Sequence, residues 1–170
     1  MTAAQSASSV SSAGRALIVS VTDQLVHGKD DRGAGALVTE LLTEAGFVVD
    51  GSVTVASDGG DIRNALNTAV IGGVDLVVTI GGTGVSPRDV TPDVTSEVLD
   101  RELPGVAQAL RWSGMAAGVV DAVISRGLVG VSGSTLVANV AASRAAIRDG
   151  LATLIPLAKH VIEELSDPDV

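Results

Sequence analysis

The apolar positions of this 170-residue chain change their period several times along its length. Residues 16–21, ALIVSV, form a short β-branched run suited to a strand buried on both faces. In GALVTELLTEAG the spacing becomes helical: Leu37, Val38, Leu41, Leu42 and Ala45 share one face, and Gly46 supplies a stop. FVVDGSVTVA reads as a second strand region. DIRNALNTAVIGG returns to helical spacing at Ile62, Leu66 and Val70 and ends on Gly72–Gly73. VDLVVTI, residues 74–80, is continuous and apolar, the pattern of a central strand.

Strand, helix, strand, helix, strand predicts an α/β fold, a three-layer α-β-α arrangement around a mostly parallel central sheet. Further on, TSEVLDREL reads as a helix with Thr95 as its N-cap and Pro104–Gly105 as its break. GVAQALRWSGMAAG continues as a helix or a pair of turns, and GLVGV and TLVANV, joined by SGS, as two strands of a hairpin. From Ala142 to Leu165 the spacing is helical through Leu151, Leu154, Ala158, Val161, Ile162 and Leu165, with Gly150 and Pro156 arguing for a kink or two helices. The Ser/Ala-rich residues 1–14 read as a disordered tail and SDPDV as a short frayed one, leaving one domain over residues 15–166.

Composition narrows the function classes. Hydrophobic residues make up 46% of the chain, but there is one Phe, one Trp and no Tyr. Base-stacking nucleic-acid modules depend on aromatic platforms. The net charge of −9 and the absence of a Lys/Arg cluster likewise argue against a nucleic-acid partner. No cysteine is present, so disulfides, thiolate metal sites and cysteine nucleophiles are excluded, and two separated histidines make a poor zinc site. No apolar run approaches membrane-spanning length and no secretory leader is legible, so a soluble, cytoplasmic protein is the default.

Candidate chemistry concentrates in TIGGTGVSPRDVTPDVT, residues 79–95. It follows the central strand, at the edge where open α/β sheets bind ligands. Gly81, Gly82, Thr83 and Gly84 would let the backbone turn tightly and present successive N–H groups to an anion. The spacing is neither a Walker A loop nor G-x-G-x-x-G, and as a bare pattern it fits a surface turn equally well. Asp89 and Asp93 are of the type a magnesium-assisted phosphoryl transfer uses, whereas Thr91, Asp93 and Thr95 also suit helix capping. Asp89 lies outside a simple capping register and is the stronger catalytic candidate. Ser20, Thr22 and Asp23 close the first strand, and Asp58 follows the second, so all should open on the same crevice. His27 reads as a solvated loop residue, and Trp112 as core or an interface anchor.

GGTGVSPRDVTPDVT, followed by DRELPG, ISRG and SGSTLVAN, resembles the molybdopterin-binding family of molybdenum cofactor biosynthesis, the MogA/MoaB-like proteins and gephyrin-type G domains. The resemblance runs from Ala16 to about Leu165. It implies molybdopterin bound at the C-terminal edge of the sheet and, in adenylyltransferase members, its activation by ATP and Mg2+ as an adenylate. It also implies a homotrimer or homohexamer. Carried over by position, pterin and phosphate contacts fall on Thr83, Ser113, Ser125 and Asn139. The acidic residues of adenylylation, which would also be the Mg2+ ligands, fall on Asp58 and Asp89. Ser20, Thr22, Asp23 and Gly81 to Gly84 would line the nucleotide side.

One departure is plain. The family typically carries Met-Pro-Gly after the asparagine of the last strand, whereas this chain reads NVAASR, with Ala141 and Ala142 at the Pro and Gly positions. Ala-Ala reaches the anion-binding turn less readily than Pro-Gly, although Ser143 and Arg144 stand ready to replace part of the contact. An alternative therefore stays open: a family member with a degenerate ligand site acting as a regulatory or protein-interaction module.

Overall fold

The computed structural model describes residues 11–23, 32–167 and 169. His27 lies outside them. Strands β1 (Gly14–Val21), β2 (Phe47–Val55), β3 (Leu76–Ile80), β4 (Arg101–Glu102), β5 (Val129–Ser132) and β6 (Thr135–Val140) form one six-stranded sheet, ordered β2-β1-β3-β6-β5-β4. β2, β1, β3 and β6 run parallel, while β5 pairs antiparallel with β6 and with β4. β3 is central, as its unbroken apolar run predicts: all five of its residues are buried.

Helices α1 (Arg32–Glu44), α2 (Gly59–Ile71), α3 (Thr91–Val98), α4 (Pro104–Ala116), α5 (Val120–Val123) and α6 (Arg144–Ser166) cover the two faces. Adjacent strand residues point to opposite sides, so each central strand feeds two cores. Ile18, Val78 and Ala138 pack with Leu42, Leu151 and Leu154 on one face; Val19, Val77 and Val137 pack with Ile62, Leu66 and Val94 on the other. This double burial is why the strands read as continuous apolar runs rather than alternating ones.

Several sequence expectations are corrected. Thr95 is not an N-cap but lies inside α3, which begins at Thr91 behind Val90. Pro92 sits in the first turn of that helix, where a missing N–H costs no hydrogen bond. The segment after Val98 leaves the helix, and Arg101–Glu102 pairs with β5. Pro104 opens α4 rather than breaking a helix, for the same reason as Pro92. Pro156 lies within a single helix of 23 residues, α6. Pro156 and Ala152, whose carbonyl loses its partner, are both exposed, so water can serve that carbonyl.

Candidate functional site

The C-terminal ends of β1, β2, β3 and β6 meet along one edge. At the end of β3 the chain enters the left-handed region at Gly81 (φ 93°) and Gly82 (φ 66°), which favours glycine. A side chain at Gly81 would meet the Val21 carbonyl oxygen, and one at Gly82 would meet the Thr91 hydroxyl. The Gly81 N–H donates to the Val140 carbonyl of β6 at 2.9 Å, and the Gly82 carbonyl accepts from Thr91 N at 3.1 Å. Beyond these anchors, the N–H groups of Gly82, Thr83, Gly84 and Val85 meet no acceptor among the described residues. Successive backbone N–H groups without protein partners form a nest suited to an anion.

Asp23 joins three strand ends. Its Oδ2 lies 2.6 Å from Arg88 Nε, and its Oδ1 accepts from Ser57 N at 3.3 Å. The predicted convergence of β1, β2 and the β3 loop is therefore realised through this one carboxylate. Ser20 is buried within β1 and faces the α1 side, its Oγ lying 3.5 Å from where a Cβ on Gly35 would stand. Thr22 continues the β1–β2 ladder by donating its N–H to the Val55 carbonyl.

The two candidate catalytic aspartates both carry local backbone bonds. Asp58 is the N-cap of α2, its Oδ2 accepting from Asp61 N at 3.0 Å. Asp89 Oδ2 accepts from Ser86 N at 3.0 Å, and its own N–H donates to the Ser86 carbonyl, so it closes the loop upon itself. Among the described residues no group of three or more His, Cys, Asp and Glu is placed to hold a metal ion.

Asn139 is buried and fully engaged. Its Oδ1 accepts from Leu128 N at 3.0 Å, and its Nδ2 donates to the hydroxyls of Thr79 at 2.8 Å and Thr95 at 3.0 Å. A cavity beside it is lined by Leu110, Arg111, Ser125, Asn139, Ala141 and Gly150. Arg111 Nη1 donates to the Gly127 carbonyl at 3.0 Å, and Ser125 Oγ accepts from Gly127 N at 3.0 Å. Ser113 does not line that cavity; its hydroxyl donates to Asp149 Oδ1 at 2.9 Å and ties α4 to α6. In the divergent segment, Ala141 is buried and lines the cavity, while Ser143 caps α6 by accepting from Ala146 N at 3.1 Å. The hydroxyl that sequence reasoning reserved for an anion thus serves the helix.

Arg126, which sequence reasoning passed over, ties the glycine loop to the segment before β5. Its backbone N–H donates to the Thr83 carbonyl at 2.8 Å and its Nε to the Gly84 carbonyl at 2.9 Å. Its Nη2 donates to the Asp89 carbonyl at 2.5 Å and to Asp93 Oδ2 at 3.1 Å. This guanidinium hydrogen bond holds the Asp93 carboxyl below its ordinary value near 3.8. The sequence signal was the arginine of ISRG, whose partners lie some forty residues earlier and only meet it through the β5–β6 hairpin.

The family model described as "Probable molybdopterin binding domain" matches residues 17–160. A molybdenum cofactor biosynthesis protein B from Bacillus cereus is 33% identical over 158 residues, covering 89% of this chain and 90% of the relative. A molybdenum cofactor biosynthesis bifunctional protein from Chlorobaculum tepidum is 32% identical over 152 residues; the chain spans about half of that relative's length (48%). Among solved structures, a molybdopterin biosynthesis protein from Mycobacterium abscessus shares 62% identity at a TM-score of 0.89, covering 93% of this chain and 99% of that one. The molybdopterin biosynthesis enzyme MoaB from Thermus thermophilus shares 34% identity at a TM-score of 0.82, covering 90% and 96%. This chain belongs to the MogA/MoaB-like molybdopterin-binding family of molybdenum cofactor biosynthesis.

Proposed function

We propose that this protein binds molybdopterin at the C-terminal edge of its sheet and adenylylates it with ATP. The observation that carries the reading is the nest of unpartnered N–H groups from Gly82 to Val85 at the C-terminal edge of the sheet. A nest offers fixed partial positive charge to a phosphate even on a chain whose net charge is −9. Gly81 to Gly84, with Ser20, Thr22 and Asp23, form the nucleotide side; Thr83, Ser125 and Asn139 form the pterin side, and Ser113 serves it only by tying α4 to α6. Asn139 acts there by holding β6 and the Leu128 backbone in place, since both its N–H donors and its oxygen are engaged by protein groups.

In the reaction an oxygen of the pterin's phosphate attacks the α-phosphorus of ATP in line. The new P–O bond forms as the bond to the β-phosphate bridging oxygen breaks, and pyrophosphate leaves. Holding both phosphates in attack geometry accounts for much of such a rate enhancement. Asp58 and Asp89 are one carboxylate each, not a preformed cage. They fit Mg2+ as an ion that arrives on nucleotide phosphates and takes one or two protein carboxylates, where it would offset phosphate charge. The test is to mix purified protein with molybdopterin, ATP and Mg2+ and to assay adenylated pterin together with pyrophosphate. Absence of bound pterin sinks the reading; bound but unreacted pterin removes the transferase activity.

The same reading includes a cytoplasmic homo-oligomer, a trimer or hexamer. Among the described residues no helix is long and apolar enough to cross a membrane. Trp112 is 70% exposed and therefore not core, and the exposure of Met115 on the same helix and of Val120 and Ile124 at α5 supports self-association. Light scattering coupled to gel filtration reads the mass directly.

A further inference from the structure

The nest has N–H groups without partners, but nothing in the glycines alone fixes which way those groups face. A glycine-rich loop can rotate its peptide planes at little cost. In a trans peptide the C=O of one residue and the N–H of the next point in opposite directions. Fixing the carbonyls therefore fixes the donors. The Thr83 carbonyl is held by Arg126 N at 2.8 Å and the Gly84 carbonyl by Arg126 Nε at 2.9 Å. The N–H groups of Gly84 and Val85, the other halves of those two peptide planes, are thereby turned away from Arg126. A third carbonyl, that of Asp89, is drawn to Arg126 Nη2, so the far end of the loop is held by the same side chain.

From this geometry we infer that Arg126 is the positioning residue of the anion site: by gathering the Thr83, Gly84 and Asp89 carboxamide oxygens on its own side, it aims the Gly84 and Val85 N–H groups at a bound phosphate. Arg126 acts through the backbone, and Asp93 holds its guanidinium in register through Nη1 at 3.4 Å and Nη2 at 3.1 Å. The planar fork matters, because a lysine cannot serve Gly84, Asp89 and Asp93 together. The inference rests on the proposed site but not on the pterin: any phosphate or pyrophosphate group on the nest suffices to test it.

The experiment is an amide NMR titration of the full chain with pyrophosphate, and in parallel with ATP, for wild type, Arg126→Ala and Arg126→Lys. In wild type the Gly84 and Val85 amide resonances shift on binding. Both variants should lose the Val85 shift and weaken binding about tenfold or more, whereas Gly84, whose peptide plane is held by the Arg126 backbone N–H, should keep its response. Millimolar guanidinium should restore part of the Val85 shift in Arg126→Ala, a rescue that a general loss of packing would not show. Should Arg126→Ala fail to fold, Arg126→Lys carries the comparison, its thermal midpoint serving as the folding control. An unchanged Val85 shift and affinity in the variants would overturn the inference, as would a wild type in which neither amide responds to either anion. A wild type that binds pyrophosphate through these amides yet forms no adenylated pterin would leave the inference standing and remove the proposed transferase function instead.

Discussion

Asn139 Nδ2 donates to the Thr95 hydroxyl at 3.0 Å, joining the last parallel strand to the helix that follows the glycine loop. Thr95 passes the bond on, donating from Oγ1 to the Thr91 carbonyl at 2.7 Å. Removing the carboxamide takes the acceptor from Leu128 N–H and the donor from the buried Thr79 hydroxyl, while Thr95 keeps its bond to the Thr91 carbonyl. Such a loss costs about 1–3 kcal/mol for each stranded group. Asn139→Ala should therefore lower stability by about 2–4 kcal/mol in a denaturant titration. An Asn139→Ala protein as stable as wild type would show that the residue serves only ligand.

Asp23 and Arg88 give a contrasting case. Their ion pair is close, at 2.6 Å, but Arg88 is largely exposed. Exposed pairs contribute about 0–1 kcal/mol and are screened by salt. Arg88→Ala should leave the melting midpoint nearly unchanged. It should nonetheless alter ATP affinity, because it removes a cation carried by the loop itself, and that effect should shrink as ionic strength rises. Calorimetry at low and high salt checks both halves; a large stability loss with no change in affinity would contradict them.

Much of this was legible in the chain. The central strands β1 and β3 announced themselves because both faces are buried, and the glycines after β3 marked the loop. What was not legible depends on distant partners. Thr95 looked like a cap because capping residues and buried threonines share a sequence signature; only the arrival of Asn139 from β6 distinguishes them. Arg126 carried no local pattern, since its acceptors are carbonyls, which every residue possesses. Ser143, one of two residues able to replace part of the Pro-Gly contact, has the spacing to Ala146 of an N-cap, and the helix claims its hydroxyl.

Asp58 has two roles that substitution can separate. As N-cap of α2 its carboxylate accepts from Asp61 N, a contact that Ser can supply. Asp58→Ala should cost about 1 kcal/mol of stability. Asp58→Ser should recover most of that stability while adenylyl transfer stays depressed, if the charge is needed at the ATP phosphates. Paired measurement of melting and turnover decides it: full turnover in Asp58→Ser would reduce the residue to its cap.

Asp93 links the loop to pH. The Arg126 hydrogen bond, followed by the attraction of its charge, outweighs the burial that opposes it, so the carboxyl titrates below its ordinary value near 3.8. A carboxylate whose folded value is depressed adds stability that is fully present above its unfolded value and is lost as pH falls through the folded one. The stability difference between wild type and Asp93→Asn should therefore be level at neutral pH and narrow only as the solution is acidified below about pH 4. Arg126→Ala should move the Asp93 carboxyl back up, read by carboxyl NMR. Added salt should shift it the same way in wild type, because the pair is exposed and open to screening. An Asp93 titration unmoved by Arg126→Ala would break the link between this carboxyl and the arginine that holds the loop.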